Sequence, residues 1–364
     1  MTDKESSSEI TQPVRAQRSV PSVDKTQPTR VRNAASSVEK TRPVRLKGTR
    51  QLSSSLWKLA GRRLMRNPEA LLGLFMIVVF ILIAICADWL APHSPRETNL
   101  KLDHLPPAWV SRSATGASGD LRFPLGTDRM GRDLLSWGIY GTRTSMLLGL
   151  ISAPIIGLIG MLIGLLSGYA GGRVDNWVMR LTDVVYAFPP IMITILIVLA
   201  LRDSPAGMWL GGLFMFFLAF LTVGWAGAAR LVRASVLAVK EVEYIEAARC
   251  IGVPALRLVF KHILPNCLGP LLVWVTLMVP QLILTEAVLG YLQINTGPAF
   301  YREALLDTSW GGMIRDGRSV IHIQPVTILI PALGVGLISI AFTFLGDALR
   351  DALDPQNQEP TASS

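Results

Sequence analysis

Glu243, Glu246, Arg249, Arg257 and Lys261 fall within nineteen residues of the stretch EYIEAARCIGVPALRLVFKHILPN (Glu243–Asn266), with Ala247, Ala248 and Gly252 among them and a long apolar segment on either side. These residue types supply neither a nucleophile with a base nor a set of metal ligands. Charges of both signs around small side chains suit recognition by another protein. The local pattern predicts a helical hairpin. Residues 240–251 are helix formers with acids toward the start and Arg249 near the end, in line with the helix dipole. Gly252 then stops the helix, and Pro254 opens a second short one running to about Lys261, before Pro265.

Reactive chemistry is absent from the rest of the chain. There is no G-x-x-x-x-G-K-[ST] phosphate loop, no H-E-x-x-H, no Cys-x-x-Cys pair and no G-x-S-x-G. No catalytic residue is therefore assigned. His93, His104, His262 and His322 are scattered, Cys86, Cys250 and Cys267 form no zinc or disulfide spacing, and no metal site is expected. Asp88, Asp183 beside Arg180, and Glu286 are the ionisable residues in or near apolar segments. Glu286 reads either as part of a translocation pathway or as an interfacial carboxylate.

These residues must be positioned by elements suited to a bilayer. Half of the 364 residues are hydrophobic, 17% are charged, and the mean hydropathy is +0.42. Six segments are long and apolar enough to cross as helices: 71–90, 144–169, 184–201, 208–229, 267–289 and 325–346. The expected fold class is all-α, a polytopic membrane protein with six transmembrane helices. Six crossings put both termini on one side. Twenty-four Lys and Arg lie on that side and eleven on the other, which places both termini and the 230–266 loop in the cytoplasm.

The net charge of +9 does not point to nucleic acid. Fifteen of the thirty-five basic residues precede the first span, where anionic membrane lipid is the simpler partner. Residues 1–55 are polar, proline-containing and low in aromatics, which predicts a disordered tail. SVDKTQPTR (Ser22–Arg30) recurs within it as SVEKTRPVR (Ser37–Arg45).

A first helical region follows over 56–91 and an extracytoplasmic loop over 92–143. The stretch FPLGTDRMGRDLLSWGIYGTR (Phe123–Arg143) reads as turn and cap chemistry leading to an interfacial helix, with Trp137 and Tyr140 at headgroup depth. Gly160, Gly164 and Gly168 share one helix face and predict close helix packing. In YAFPP, Phe188, Pro189 and Pro190 break the third span, either to line a pathway or merely to bend a packed helix.

EAARCIGVPALRLVFKHILP resembles the EAA motif of ABC-importer permeases, with Glu246, Ala247, Ala248, Gly252, Leu264 and Pro265 in register. His262, in HILPN, is similar to the peptide/nickel subgroup. PLGTDRMGRDLLSWGIYGTRTSM and GDALRDALDP (Gly346–Pro355) resemble segments of the C-type permease of dipeptide and oligopeptide importers, so the likeness runs from about Leu56 to Pro355. The segment NTGPAFYREALLDT, residues 295–308, departs from that pattern.

The resemblance implies a type I importer permease fold, with a core over 144–350 and a cytoplasmic tail over 351–364. It implies a multi-pass protein of the cytoplasmic membrane. Its implied partners are a second, B-type permease, two ATPase domains that bind ATP and magnesium, an extracytoplasmic solute-binding protein and a peptide substrate. The loop would seat in the ATPase, and this chain itself would hold no cofactor. Nickel chelates, haem, glutathione and other small solutes remain alternative cargoes, and a self-sufficient channel or scaffold an alternative function.

Overall fold

The computed structural model describes Lys58 and residues 60–95, 97–111, 116–294 and 308–353. The tail over 1–55, residues 295–307 of the departing segment, and the chain beyond 353 lie outside the described residues. Most of what is described is helical, with one isolated antiparallel bridge between Thr127 and Asp133. Among the described residues five helices are long and apolar enough to cross a membrane, or six crossings if a pair bent by 82° is counted as one.

Helix α1, Pro68–Ile85, starts where Asn67 accepts hydrogen bonds from the backbone N–H groups of Glu69 and Ala70. Proline at the first turn adds to that signal, because its missing N–H would be unpaired there in any case. Gly73 lets α1 lie directly on the carboxy-terminal helix, since a Cβ at that position would meet the Ala341 carbonyl oxygen at 2.6 Å.

Helix α2, Leu134–Ala170, is 37 residues long, about 55 Å at the usual rise. It begins ten residues before the expected span. The reason is local: the Asp133 carboxylate accepts from the N–H groups of Leu135 and Ser136, so DLLSWGIY is the first part of α2 and not a separate interfacial helix. Trp137 is correspondingly buried within the bundle. Its ring lies under the Arg132 guanidinium at 3.9 Å.

The expected third span, 184–201, is not one helix. Helix α3, Gly172–Ala187, and α4, Pro190–Leu201, meet at an angle of 82°. Phe188 precedes a proline and is held extended at φ −103°, ψ 141°, so the helical ladder ends there. Helix α4 alone, about 18 Å long, is too short to cross a hydrocarbon layer.

Helix α5, Leu213–Lys240, starts later than expected and runs eleven residues beyond Ala229. Its last turns carry charge because they have partners. Arg230 pairs with Asp183 at 2.7 Å, and Arg233 pairs with Asp175 at 2.5 Å. The glycine stripe of α2 faces α5: Cβ atoms at Gly160, Gly164 and Gly168 would stand 2.3 Å from Ala228 Cβ, 2.6 Å from the Ala229 oxygen and 2.8 Å from Val236 Cβ. Only a bare backbone fits at these three places.

Helix α6, Glu243–Cys250, and a single turn at Ala255–Leu258 lead through a π-type turn at Val259–Ile263 into α8. With that turn labelled α7, helix α8 is Leu264–Tyr291. A short helix α9, Trp310–Gly317, and a long α10, Val326–Leu353, complete the fold. Met146, Ile156, Phe216, Phe220, Ile283, Trp310 and Ile338 form the main core between α2, α5, α8, α9 and α10.

Candidate functional site

The segment from Glu241 to Asn266 sits where α2 and α5 finish. The Lys240 ammonium donates to the carbonyl oxygens of Gly168 and Tyr169, fixing the end of α5 against the end of α2. Glu243 and Glu246 then occupy the first turn of α6 and Arg249 its last, each favoured by the helix dipole.

Helix α6 closes with two backbone bonds. Val253 N–H reaches the Ala248 carbonyl and Gly252 N–H reaches the Arg249 carbonyl, at 3.1 and 2.9 Å. This Schellman arrangement needs a left-handed residue after the helix, and Gly252 supplies φ +78°. Ala248 and Val253, the residues that such a closure brings together, both pack on the cluster below. Buried Ile245, Leu258, Ile263, Cys267 and Leu271 form that cluster with Val232 and Val236 of α5. The hairpin is therefore seated on the bundle at both ends and in its middle.

Its outer surface is different. Glu246 and Ala247 are exposed, and Gly252 has no atom within 4 Å of where a Cβ would stand. Ile251 is 80% exposed, Leu256 72% and Phe260 60%. An apolar tip beside an acidic helix has the composition of a surface made to be covered by protein, with aliphatic and aromatic anchors within a polar rim.

The expected stop before Pro265 does not occur. Leu264 N–H bonds five residues back to the Val259 carbonyl, and the next residue, Pro265, has no N–H to satisfy, so the helix continues through the proline into α8. His262, Leu264 and Pro265 lie half-buried at this junction and not on the tip. The His262 ring faces Tyr244 at 6.3 Å, and the Asn266 amide donates both to the His262 carbonyl and to the Tyr244 hydroxyl.

A second feature lies deeper. A cavity of about 500 Å3 opens between the end of α3 and helices α4, α5 and α8, with Tyr186, Pro190, Phe220, Trp274, Met278 and Gln281 on its wall.

The family model for the binding-protein-dependent transport system inner membrane component matches residues 160–358, which takes in the hairpin, the cavity and α8 to α10. The chain belongs to this family. A second model, the N-terminal TM domain of oligopeptide transport permease C, matches residues 55–107 of the permease. The oligopeptide transport system permease protein OppC of Haemophilus influenzae is 35% identical over 84% of this chain and 90% of its own length. OppC of Bacillus subtilis is 37% identical over 84% and 91%. The dipeptide transport system permease protein DppC of Haemophilus influenzae is 37% identical over 80% and 92%.

Within the permease the residues singled out from sequence separate into groups. Glu246, Ala247 and Gly252 share the exposed side of the hairpin, Ala248 packs beneath it, and His262, Leu264 and Pro265 form its hinge to α8. Pro190 lines the cavity, while Phe188 and Pro189 stand exposed at the α3–α4 break. Glu286 sits inside the bundle. It is fully enclosed, accepting from the Ser309 hydroxyl at 2.7 Å and the Ser145 hydroxyl at 3.3 Å, and the cavity wall includes its neighbour Thr285 instead.

Sequence reasoning passed over Ile251, Leu256 and Phe260, although three large apolar residues in a polar hairpin were the available signal. It also passed over the seat of α9. Trp310 fills a slot in which Cβ atoms at Gly141 and Gly334 would each stand 2.6 Å from its ring. The Ser309 hydroxyl that donates to Glu286 also caps α9, accepting from Gly312 N–H. No spacing in the chain announces a bond between residues 286 and 309.

Proposed function

We propose that this permease is one of two membrane subunits of an ATP-driven importer of dipeptides or oligopeptides. The observation that carries the reading is the hairpin: an exposed, acid-flanked apolar tip on a base rigidly joined to α5 and α8. Two partner ATPase domains bind ATP and magnesium, and one of them receives this tip. A second, B-type permease completes the pathway, and an extracytoplasmic solute-binding protein delivers the peptide.

Both termini and the hairpin face the cytoplasm, consistent with the excess of basic residues on that side. Residues 91–133 then face outward, toward the binding protein. The names of the OppC and DppC relatives support peptides as cargo.

The arrangement can act as a lever. Closure of the ATPases moves the tip, and Ile245, Leu258 and Ile263 pass that movement to α5 and α8 without slack, because their side chains are fully buried. Opening past Phe188, Pro189 and Pro190 is the output. ATP drives the change only through different contacts in the two states, and the covered and uncovered tip is such a difference.

Purification of the complex from its native membrane in mild detergent tests the reading. Recovery of a second permease, P-loop ATPases and a peptide-loaded binding protein is the expected result. Recovery of the chain alone, even after crosslinking, removes the importer reading. A binding protein loaded with a nickel chelate, haem or glutathione keeps the machine and replaces the cargo.

A further inference from the structure

The wall of the cavity between α3, α4, α5 and α8 has a distinct chemistry. It carries no Asp, Glu, Lys, Arg, His or Cys. Thr194 and Thr285 both line it, yet each hydroxyl already donates to a carbonyl of its own helix, Pro190 and Gln281 respectively. The Gln281 side-chain amide and the Tyr186 hydroxyl differ. Both reach the cavity from exposed positions, and neither makes a side-chain hydrogen bond to another described residue, so both groups are open to a ligand.

An unpartnered primary amide offers one acceptor and two donors, which matches the acceptor and donor of a peptide bond. A phenol adds one group that either donates or accepts. Around them stand Trp274, Phe220 and Met278, broad or adaptable surfaces that accept many side-chain shapes without demanding one.

A charged group stands beside the Tyr186 ring. Arg230 lies one helical turn beyond Gly227, stacks on the Tyr186 ring at 4.1 Å and pairs with Asp183 at 2.7 Å. A Cβ on Gly227 would stand 2.9 Å from the Tyr186 hydroxyl, so the ring is pressed against bare α5 backbone.

We infer that this cavity is the permease's subsite for a peptide in transit, in which Gln281 and Tyr186 bind the peptide backbone irrespective of its side chains. The inference rests on the peptide reading above. It adds that the membrane passage reads the amide shared by all peptides. The volume agrees, since small-ligand sites commonly enclose about 300–1,000 Å3.

The test uses the assembled transporter in sealed vesicles, with its binding protein, and trialanine and triphenylalanine as probes. Gln281→Leu is expected to slow uptake of both tripeptides by the same factor, about tenfold for one lost hydrogen bond. Binding-protein-stimulated ATP hydrolysis falls by a smaller factor than uptake. Tyr186→Phe acts in the same sense and by a smaller factor. Unchanged uptake in both variants overturns the inference, and so does a loss confined to one tripeptide, which makes the wall a reader of side chains. Equal loss of hydrolysis and uptake also overturns it, because that is the effect of damaged coupling.

A tripeptide bearing a benzophenone side chain gives a readout that needs no variant. Its crosslinks are expected on Trp274, Met278 or Tyr186 during turnover, and crosslinks on other faces alone overturn the assignment. A wild-type complex that hydrolyses ATP in response to its binding protein yet moves neither tripeptide overturns the peptide reading itself.

Discussion

Single residues in this permease are constrained for different reasons, and their substitutions should separate accordingly. Gly252 holds φ +78° with open space around it, so alanine there meets no clash. The cost within the chain is backbone strain alone, about 1–2 kcal/mol. Gly252→Ala should leave expression and membrane insertion near wild type. A larger loss of coupled ATP hydrolysis then belongs to the partner surface, and Gly252→Asp, which adds a charge at the same open place, should show it more strongly. Transport by Gly252→Asp at the wild-type rate would remove this face from the proposed contact. Glu286 is the reverse case, enclosed and holding two hydroxyls. Glu286→Gln keeps one acceptor and should cost about 1 kcal/mol, whereas Glu286→Leu strands buried polar groups at about 1–3 kcal/mol each. Thermal unfolding of the detergent-solubilised protein should rank wild type, Gln and Leu in that order. A Leu variant as stable as wild type would mean that α9 is held without this carboxylate.

At the scale of helices, the spacing of apolar residues was enough to find the six crossings and the glycine stripe, because burial in lipid and close backbone approach leave periodic marks. The YAFPP break was equally legible, since proline acts on its own neighbours. The extension of α5 through Arg230 and Arg233 was not. Those charges look like the start of a loop until Asp183 and Asp175 of α3 are known to lie opposite them. The unbroken passage through Pro265 was hidden for a similar reason, because the π-type turn before it is a property of the folded junction. The α2–α5 contact gives the test at this scale. Gly164→Leu would drive its side chain into the Ala229 carbonyl and the Val232 side chain, and overpacking of a close interface costs about 1–3 kcal/mol or more. The same change at Gly336, which meets nothing within 4 Å, should be neutral. Comparable yields of folded protein for the two variants would contradict the close packing of α2 on α5.

Across the whole molecule, α9 is the joint between the 91–133 loop and the membrane helices. Its Ser309 end is held by Glu286 of α8, and near its other end Asp316 accepts from Arg132 at 2.9 Å. Arg132 also bonds Asp128 through Nε at 2.7 Å and lies over Trp137, so one buried guanidinium connects the loop, α2 and α9. Gln324 adds a separate tie by donating to the Leu105 carbonyl at 2.8 Å. A binding protein docking on this loop would thus press on α9 and, through Glu286, on the helix that carries Gln281 and Thr285 of the cavity. Arg132→Met removes the fork and leaves two buried carboxylates facing each other across the gap. Loss of one partner from a buried ion pair costs about 3–5 kcal/mol. Arg315 and Arg129 stand 2.8 and 3.8 Å from Asp316 and will retain part of that end, so the measured loss should fall toward the lower figure. Arg132→Lys keeps the charge but cannot bond both carboxylates in one plane, and should lie between wild type and Met. If stability falls in this order while binding-protein stimulation of ATP hydrolysis falls with it, the loop acts on the helices through α9. If the Met variant loses stability but is stimulated normally, Arg132 serves folding alone and the docking force must travel by another route.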